Sequence, residues 1–207
     1  MATFASDDFT DSDAVNLQDH TPTGGGAWTK AVGGAGTDVD IRSNGVAPSG
    51  NYACYYHTTA PAGVAYDVTA TAKAAGSASY VISVTARQSS SAQTAYVLWP
   101  AAASWILYKC VAGAFTSLGT YSATPATNDV YKLECKDATK KAFINSVERI
   151  SSANNDITAA GYAGLMGYGT NTTVRADTWL AEQAGGGAFK AAWARGSNSI
   201  LGSGAIR

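Results

Sequence analysis

The sequence predicts an all-β protein whose antiparallel sheets pack as a sandwich or close into a barrel. Most of the chain alternates between apolar and polar residues with period two, which is typical of strands that bury one face. Turn-forming residues separate the alternating stretches, and no stretch before residue 185 has helical periodicity. The spacing predicts about ten to twelve short strands, which favours two packed sheets or a barrel.

The alternation is clearest in three stretches. In "VAYDVTATAK", Tyr66 and Val68 fall on one face and Asp67 on the other. "SYVISVTAR" and "VYKLECK" alternate in the same way, and this places Arg87 on a polar face. Further strands are expected in "TAYVLW", "SWILYKCV", "KKAFIN", "YAGLMGYG" and "TTVRADTWLAE". Turns are expected at Ala112 and Gly113, at Asn128 and Asp129, and at Ala160 and Gly161.

The charge pattern excludes several classes of partner. Only 14% of the 207 residues are charged, the net charge is -1, and the longest basic run is Lys140 and Lys141. Nucleic acids and anionic membranes recruit clustered basic residues, so neither is an expected partner. No apolar run approaches the roughly 20 residues of a membrane helix, and we expect no membrane insertion. The N-terminus lacks the pattern of a secretory signal.

The three cysteines are Cys54, Cys110 and Cys135. They lack the spacing of metal ligands and lie in predicted strands, which favours small buried thiols in a reducing compartment. A disulfide between Cys110 and Cys135 is the alternative.

Composition divides the chain into residues 1–183, a strand-rich domain, and residues 184–207, a C-terminal extension. Three glycines, Gly185 to Gly187, follow Ala184 and form a flexible joint, and the extension continues without alternation as "AFKAAWARGSNSILGSGAIR". Its large apolar side chains are costly to expose, so we predict that it docks on its own domain, on another copy or on a different protein. These docking residues are Phe189, Trp193, Ile200 and Leu201.

Several segments, taken in order, carry a family resemblance that covers residues 7 to about 183. They are "DDFTDSD", "GGGAWTKAVG", "DVDIRSNGVAPSG", "YVISVTARQSS", "AYVLW", "WILYKCVAGAFTSLGTY", "YKLECKDATKKAFINSVERI", "ITAAGYAGLMGYG" and "VRADTWLAE". The set resembles the concanavalin A-like lectin/glucanase jelly roll in its laminin-G-like form, which occurs in bacterial and phage proteins. The resemblance implies an antiparallel two-sheet sandwich whose first and last strands are neighbours, with Phe9 and Trp179 closing the core. It also implies a tight turn at Asn145.

No catalytic residue is predicted, and we do not expect an enzyme. A retaining glucanase needs two carboxylates about 5 Å apart. The only glutamates are Glu134, Glu148 and Glu182, and none has a carboxylate partner at the spacing of the family's hydrolases. No serine lies in a nucleophile-elbow context either. Glycoside hydrolysis is kept as a remote alternative.

Structural calcium is the one cofactor considered. The resemblance implies an ion near the meeting of the first and last strands, where Asp8 and Asp177 are the candidate ligands. The alternative is that the acidic residues of "DDFTDSD" accept backbone hydrogen bonds in turns. Because a bound ion stabilises the folded state, an unchanged melting temperature in EDTA would exclude calcium.

The resemblance also implies a concave sheet that could bind sugar through aromatic faces and hydrogen-bonding side chains. The candidates are Tyr55, His57, Arg87, Tyr96 and Trp99. For each of them, the alternative is a contact in the core or with another subunit.

Taken together, these features predict a non-catalytic structural or attachment protein. The extension and the phage resemblance favour a bacteriophage virion component, either a capsid decoration or a tail-associated adhesin. It would be made in the host cytoplasm, displayed on the virion surface and anchored by the extension to other virion proteins or to its own copies. The alternative is a carbohydrate-binding module that recognises cell-surface glycans.

Overall fold

The computed structural model describes residues 2–31, 38–50, 52–74, 81–170 and 173–183. In these ranges the chain forms fifteen strands and one short 3-10 turn, Leu17–Asp19, and no α-helix. No helix in the described ranges is long and apolar enough to cross a membrane. The strands are β1 Ala2–Asp7, β2 Trp28–Lys30, β3 Val39–Ile41, β4 Val46–Pro48, β5 Ala53–His57, β6 Tyr66–Ala74, β7 Val81–Gln88, β8 Ala95–Pro100, β9 Trp105–Val111, β10 Ala114–Tyr121, β11 Val130–Lys136, β12 Thr139–Ile144, β13 Val147–Ala153, β14 Tyr162–Tyr168 and β15 Arg175–Gln183.

The strands form two antiparallel sheets that pack face to face. Sheet A has the order β13-β12-β11-β6-β15-β4-β3, with β1 also paired to β15, and sheet B has the order β10-β9-β8-β7-β14-β5-β2. This confirms the predicted two-sheet jelly-roll sandwich. The strand count exceeds the predicted ten to twelve because β2, β3 and β4 have only three residues each, too few to display an alternating pattern.

The first and last strands lie side by side, as predicted. β1 pairs with β15 from Ala2 opposite Gln183 to Asp7 opposite Trp179. Phe9, just beyond the end of β1, is fully buried. The Trp28 ring links this junction to the core, because its centroid lies 6.2 Å from that of Phe9 and 4.7 Å from that of Trp179. Packed aromatic rings therefore close the core where the first and last strands meet.

The core between the sheets follows the predicted alternation. Tyr66 and Val68 of β6 and Leu133 of β11 point inward and are fully buried. The outward residues of the same strands form ion pairs, such as Lys132 Nζ with Asp67 Oδ2 at 3.1 Å. Alternation therefore gave the correct inner face for sheet A.

The hairpin between β12 and β13 turns at Asn145 and Ser146, which have φ values of 51° and 69°. Ile144 pairs with Val147 across this two-residue turn. Positive φ at both central residues is the geometry that matches the twist of a hairpin, and Asn tolerates it well. The side chain of Asn145 also accepts a hydrogen bond from the Val130 N–H. The predicted turn is confirmed.

All three cysteines are free and buried. Cys135 lies in the core between the sheets, whereas Cys110 and Cys54 belong to a separate apolar cluster. Burial raises the pKa of the Cys54 thiol, and that of Cys135, to about 12. The prediction of buried thiols is confirmed, and the alternative of a disulfide between Cys110 and Cys135 is wrong.

Candidate functional site

Sheet B is buried on both of its faces along its central strands. In β7 every residue is buried, with Ile82 and Val84 in the core between the sheets. Ser83 and Thr85 alternate with them and therefore lie on the outer face. A second apolar cluster occupies this outer face. Its buried members are Ala31, Cys54, Ala95, Val97, Cys110 and Met166.

Five aromatic rings lie over this outer cluster and form a connected group, here called the ring cluster: Tyr52, Trp99, Tyr108, Phe115 and Tyr168. The Tyr52 ring centroid lies 4.6 Å from that of Tyr168, and the Trp99 centroid lies 5.5 Å from that of Tyr168. Phe115 closes the group at 5.6 Å from both Tyr52 and Tyr108. Tyr52 keeps 39% of its surface exposed, so the cluster presents aromatic surface to solvent.

The ring cluster shows that sheet B is strongly curved. Tyr52 immediately precedes β5, whereas Phe115 lies in β10, five strand positions away. Along a flat sheet these strands would be about 24 Å apart. Their ring centroids are only 5.6 Å apart, which requires the sheet to curl toward its outer side. The outer face of sheet B is therefore concave.

A second aromatic pair lies at the other end of β14. The ring of Tyr162 lies 4.8 Å from that of Tyr56, measured between centroids. Tyr162 and Tyr168 are the first and last residues of β14, so the two groups of rings are about 20 Å apart along the strand. We call the ring cluster and this pair together the aromatic face.

Buried polar atoms lie beneath the aromatic face. Ser83 Oγ and Thr85 Oγ1 on β7 have no hydrogen-bond partner among the described residues. Gly164 is required beside them, because a Cβ there would lie 2.8 Å from Thr85 Oγ1 and 2.2 Å from the Tyr55 carbonyl oxygen. Buried polar groups without a partner are uncommon and are usually satisfied by water or by a ligand.

No carboxylate belongs to the strands of sheet B. All seven strands lack Asp and Glu. Glycoside hydrolysis normally requires two carboxyl groups on either side of the scissile bond. The strands beneath the concave face therefore supply no such pair.

Three of the predicted sugar-binding residues lie inside the sandwich instead of on its surface. Tyr55, His57 and Tyr96 are fully buried. The Tyr55 hydroxyl donates a hydrogen bond to Asp38 Oδ1 at 3.0 Å. The His57 ring stacks on the Trp179 ring at a centroid distance of 5.5 Å. These three residues therefore do not face a ligand on the concave surface, and this part of the prediction is wrong.

Strand alternation gives the reason. Tyr55 and His57 share the inner face of β5, so it is Tyr56, between them, that faces outward. Tyr96 and Trp99 are three residues apart in β8 and must lie on opposite faces. Of the five predicted residues, Trp99 alone belongs to the aromatic face.

Arg87 is also buried, with 2% of its surface exposed. It has a φ of 55°, and the register between β7 and β14 shifts beside it, so a bulge interrupts the alternation. Its guanidinium donates hydrogen bonds to the carbonyl oxygens of Val64, Asp137 and Ile157 and to the side chain of Asn155. Arg87 therefore joins loops at one end of the sandwich instead of projecting from the concave face.

The acidic cluster near the N-terminus is a buried hydrogen-bonded network. Asp7 is 2% exposed and accepts hydrogen bonds from the Phe9 N–H at 2.9 Å, Trp28 Nε1 at 2.6 Å and His20 Nε2 at 3.0 Å. The other ring nitrogen of His20 lies 3.1 Å from Asp11 Oδ2. Both nitrogens face carboxylates, an arrangement that favours the doubly protonated, charged imidazolium.

The pKa of His20 reflects two opposing effects. Burial lowers the pKa, but the hydrogen bonds to Asp7 and Asp11 outweigh it and raise the pKa above its ordinary value. The Asp11 pKa is lowered, chiefly by its hydrogen bond to His20. The network therefore links the end of β1 to the loop that carries His20.

The two candidate calcium ligands have separate partners. Asp8 Oδ1 accepts hydrogen bonds from the Thr23 hydroxyl and the Thr10 N–H. Asp177 accepts a hydrogen bond from the Thr178 N–H and pairs with Lys73 Nζ at 3.1 Å. Among the described residues, no group of three or more His, Cys, Asp or Glu side chains could hold a metal ion. Calcium binding stays a prediction.

The predicted docking residues Phe189, Trp193, Ile200 and Leu201 lie outside the described residues. The described sandwich ends at Gln183, whose side chain accepts a hydrogen bond from the Ala62 N–H and donates one to the Ala65 carbonyl. Docking by residues 184–207 stays a prediction.

The sequence pattern did not indicate most of the aromatic face. Its additional members are Tyr52, Tyr56, Tyr108, Phe115, Tyr162 and Tyr168. The alternation of β14 did indicate two of them. Ala163 and Leu165 point into the core, so Tyr162 and Tyr168, at even-numbered positions of the same strand, point to the outer face. The alternation does not predict the curvature of sheet B, and it is this curvature that brings rings from separate strands together.

No family model matches the chain, and no curated protein matches it. Solved structures share its fold. The carbohydrate-binding module CBM66 from Bacillus subtilis is 15% identical and superposes with a TM-score of 0.59 over 75% of this chain and 95% of that one. Domain 4 of AbnA, a GH43 arabinanase from Geobacillus stearothermophilus solved with arabinotriose, is 15% identical, with a TM-score of 0.54 over 88% and 92% of the two chains.

A lichenase from a mouse hindgut metagenome is 12% identical, with a TM-score of 0.56 over 87% of this chain and 98% of that one. Identities this low carry information about the fold alone. The chain has the concanavalin A-like lectin/glucanase jelly-roll fold, as the sequence motifs predicted.

Proposed function

We propose that this protein is a non-catalytic carbohydrate-binding module that binds neutral glycans on the aromatic face of sheet B. The observation that carries the proposal is the ring cluster, a connected group of five aromatic side chains on a concave sheet. Ligand sites are typically concave surfaces lined by aromatic and apolar groups, with a few polar groups that orient the ligand.

The aromatic surface suits the apolar faces of sugar rings. Trp and Tyr offer a large apolar area together with a polar atom at the edge of the ring, and they lose little conformational entropy on binding. The length of about 20 Å along β14 favours an oligosaccharide over a single sugar. The absence of Asp and Glu from the sheet B strands, and a net charge of -1 for the whole chain, favour a neutral ligand over a cationic one.

Two of the structural neighbours support this class of function. One is described as a carbohydrate-binding module, and another was solved with a bound trisaccharide, arabinotriose. Another neighbour is a β-1,3-1,4-glucanase, and a further one, LamA from Z. galactanivorans, was solved with laminaritriose and laminaritetraose. We favour binding without hydrolysis for this chain because the strands beneath the aromatic face carry no carboxylate pair.

Isothermal titration against neutral polysaccharides, namely arabinan, laminarin and lichenan, tests the proposal. Trp99→Ala removes a ring that contacts four others in the cluster, and we expect at least a tenfold loss of affinity, about 1.4 kcal/mol. The matched control is Tyr121→Ala. Tyr121 ends β10, the strand that carries Phe115, but packs toward the core beneath Arg149 of β13.

Wild-type protein that binds none of the panel, or Trp99→Ala that binds as tightly as Tyr121→Ala, contradicts the proposal. Measuring the melting temperatures of both variants separates loss of a contact from loss of the fold.

The role in a bacteriophage virion that the sequence predicted has no support in the comparisons. It depends on residues 184–207 and stays a prediction. A displayed sandwich that also binds sugar is compatible with it.

A further inference from the structure

A depression of about 360 Å³ opens at the end of the aromatic face, beside Tyr162. It lies between the loop that joins β7 to β8 and the segment that leads into β14. Gln88, Ser89, Ser90 and Thr94 line it on one side, and Ile157 and Ala159 line it on the other. We call it the end pocket. Tyr162 lines the end pocket and its ring belongs to the aromatic face, so the two sites adjoin and one ligand can contact both.

Gln88, one of the residues that line the end pocket, carries a buried hydrogen-bond acceptor without a donor among the described residues. Gln88 is 1% exposed, and its Nε2 atom donates hydrogen bonds to the carbonyl oxygens of Ser89 at 3.1 Å and Ala92 at 3.5 Å. Because both neighbours of Nε2 are acceptors, the orientation of the amide is fixed. Its Oε1 atom has no partner among the described residues. Because Oε1 is itself buried, a hydroxyl group of a ligand would reach it only through a bridging water or a small shift of the lining.

The charges around the end pocket favour a neutral ligand. Among the residues that the structure describes, no Asp, Glu or Lys lines it. Arg87 does line it. The terminal nitrogens of its guanidinium already donate to four oxygen atoms, and its Nε atom is buried and has no partner among the described residues. A polyhydroxylated, uncharged group fits this lining better than an anion.

The size of the end pocket limits what it can hold. Small-molecule pockets mostly range from roughly 300 to 1,000 Å³, and this one is near the lower limit. It suits one or two sugar rings and is too small for several. A glycan that lies along the aromatic face would meet the loop after β7 at this point.

We propose that the end pocket binds the terminal residue of a neutral glycan whose preceding residues contact the aromatic face. This inference rests on the proposed function and adds a preference for chain ends. A module of this kind binds in proportion to the number of ends in a polysaccharide sample, not to its mass.

The test measures binding stoichiometry by isothermal titration against arabinan, laminarin and lichenan, each before and after partial acid hydrolysis. Recognition of ends predicts that the number of protein molecules bound per gram rises with the number of ends. A stoichiometry that is unchanged by hydrolysis would show that the module binds internal segments, and the end-pocket proposal would fail while the proposed function stands.

A variant test isolates the pocket from the rest of the face. Ala159→Trp fills the end pocket from an exposed position, and Ala102→Trp places the same side chain at an exposed position in the loop between β8 and β9. We expect Ala159→Trp to weaken binding at least tenfold and Ala102→Trp to leave it unchanged. Equal affinities for the two variants would show that the end pocket does not bind the glycan.

Three further outcomes are decisive. Binding to polygalacturonate in preference to the neutral panel would overturn the assignment of a neutral ligand. Loss of affinity in Trp99→Ala together with unaltered affinity in Ala159→Trp would sustain the aromatic face and reject the end pocket. If the wild-type protein binds no member of the panel, both proposals fall.

Discussion

Replacing Asp7 with alanine should destabilise the sandwich far more than the same change at its neighbour, Asp8. Asp7 is buried and accepts hydrogen bonds from His20, Trp28 and the Phe9 N–H. Asp8 is exposed and bonds to the Thr23 hydroxyl and the Thr10 N–H. The two residues have identical side chains, so the comparison isolates the effect of burial.

The expected magnitude follows from the donors left unpaired. Removing the Asp7 carboxylate leaves two buried side-chain donors and one backbone donor without an acceptor, at about 1–3 kcal/mol each. Water can enter beside Asp11, whose side chain is 33% exposed, so we take the lower part of the range. The expected loss is about 3–6 kcal/mol, a large fraction of the roughly 5–15 kcal/mol that stabilises a typical domain. For Asp8→Ala we expect a loss below about 1 kcal/mol.

Equilibrium unfolding in urea measures both variants. The transition midpoint should fall sharply for Asp7→Ala and little for Asp8→Ala, with the same dependence on denaturant in both. If Asp7→Ala lies within about 1 kcal/mol of Asp8→Ala, the buried network contributes little, and our account of the N-terminal cluster is wrong.

Two further predictions concern His20 and the C-terminal extension. The His20 pKa is raised in the folded state, so its contribution to stability is complete below about pH 6.5 and is lost as the pH rises through the raised pKa. The stability difference between wild type and His20→Gln should therefore be larger at pH 6 than at pH 8.5 in urea unfolding. Burial lowers the pKa of His57, but both proteins retain His57, so its effect cancels in this difference, and a constant difference would refute the account. Deleting residues 185–207 should abolish incorporation into a particle if the extension is an anchor, as measured by sedimentation of assembled particles, and normal incorporation would reject the anchoring role.

The N-terminal acidic cluster shows which structural features the local sequence pattern can predict and which it cannot. The sequence indicated that Phe9 enters the core and that the acidic residues around it serve turns, and the buried ring of Phe9 agrees. It did not indicate that Asp7 and His20 form a buried pair, because their contact depends on the path of a thirteen-residue connection. Asn145 was predictable because a two-residue hairpin turn is specified by residues adjacent in sequence.

The candidate site was less predictable than the fold. Trp99 was found, but Tyr55, His57 and Tyr96 were assigned to the wrong face. Most residues of β5 and all residues of β7 are buried on both sides, and hydrophobicity then does not distinguish the core face from the concave face. Arg87 was misplaced for a different reason, since its positive φ interrupts the alternation on which the assignment depended.

The sequence by itself determined that the chain forms antiparallel strands, which residues share a face where no bulge interrupts the alternation, where the hairpins turn and that the thiols are buried. These features depend on neighbours one to four residues apart. Only the tertiary structure decided that sheet B curls so that Tyr52 meets Phe115, sixty-three positions later in the chain, and that a pocket forms beside Tyr162. Curvature arises from the twist and bulges of seven strands acting together, and no single stretch of sequence records it.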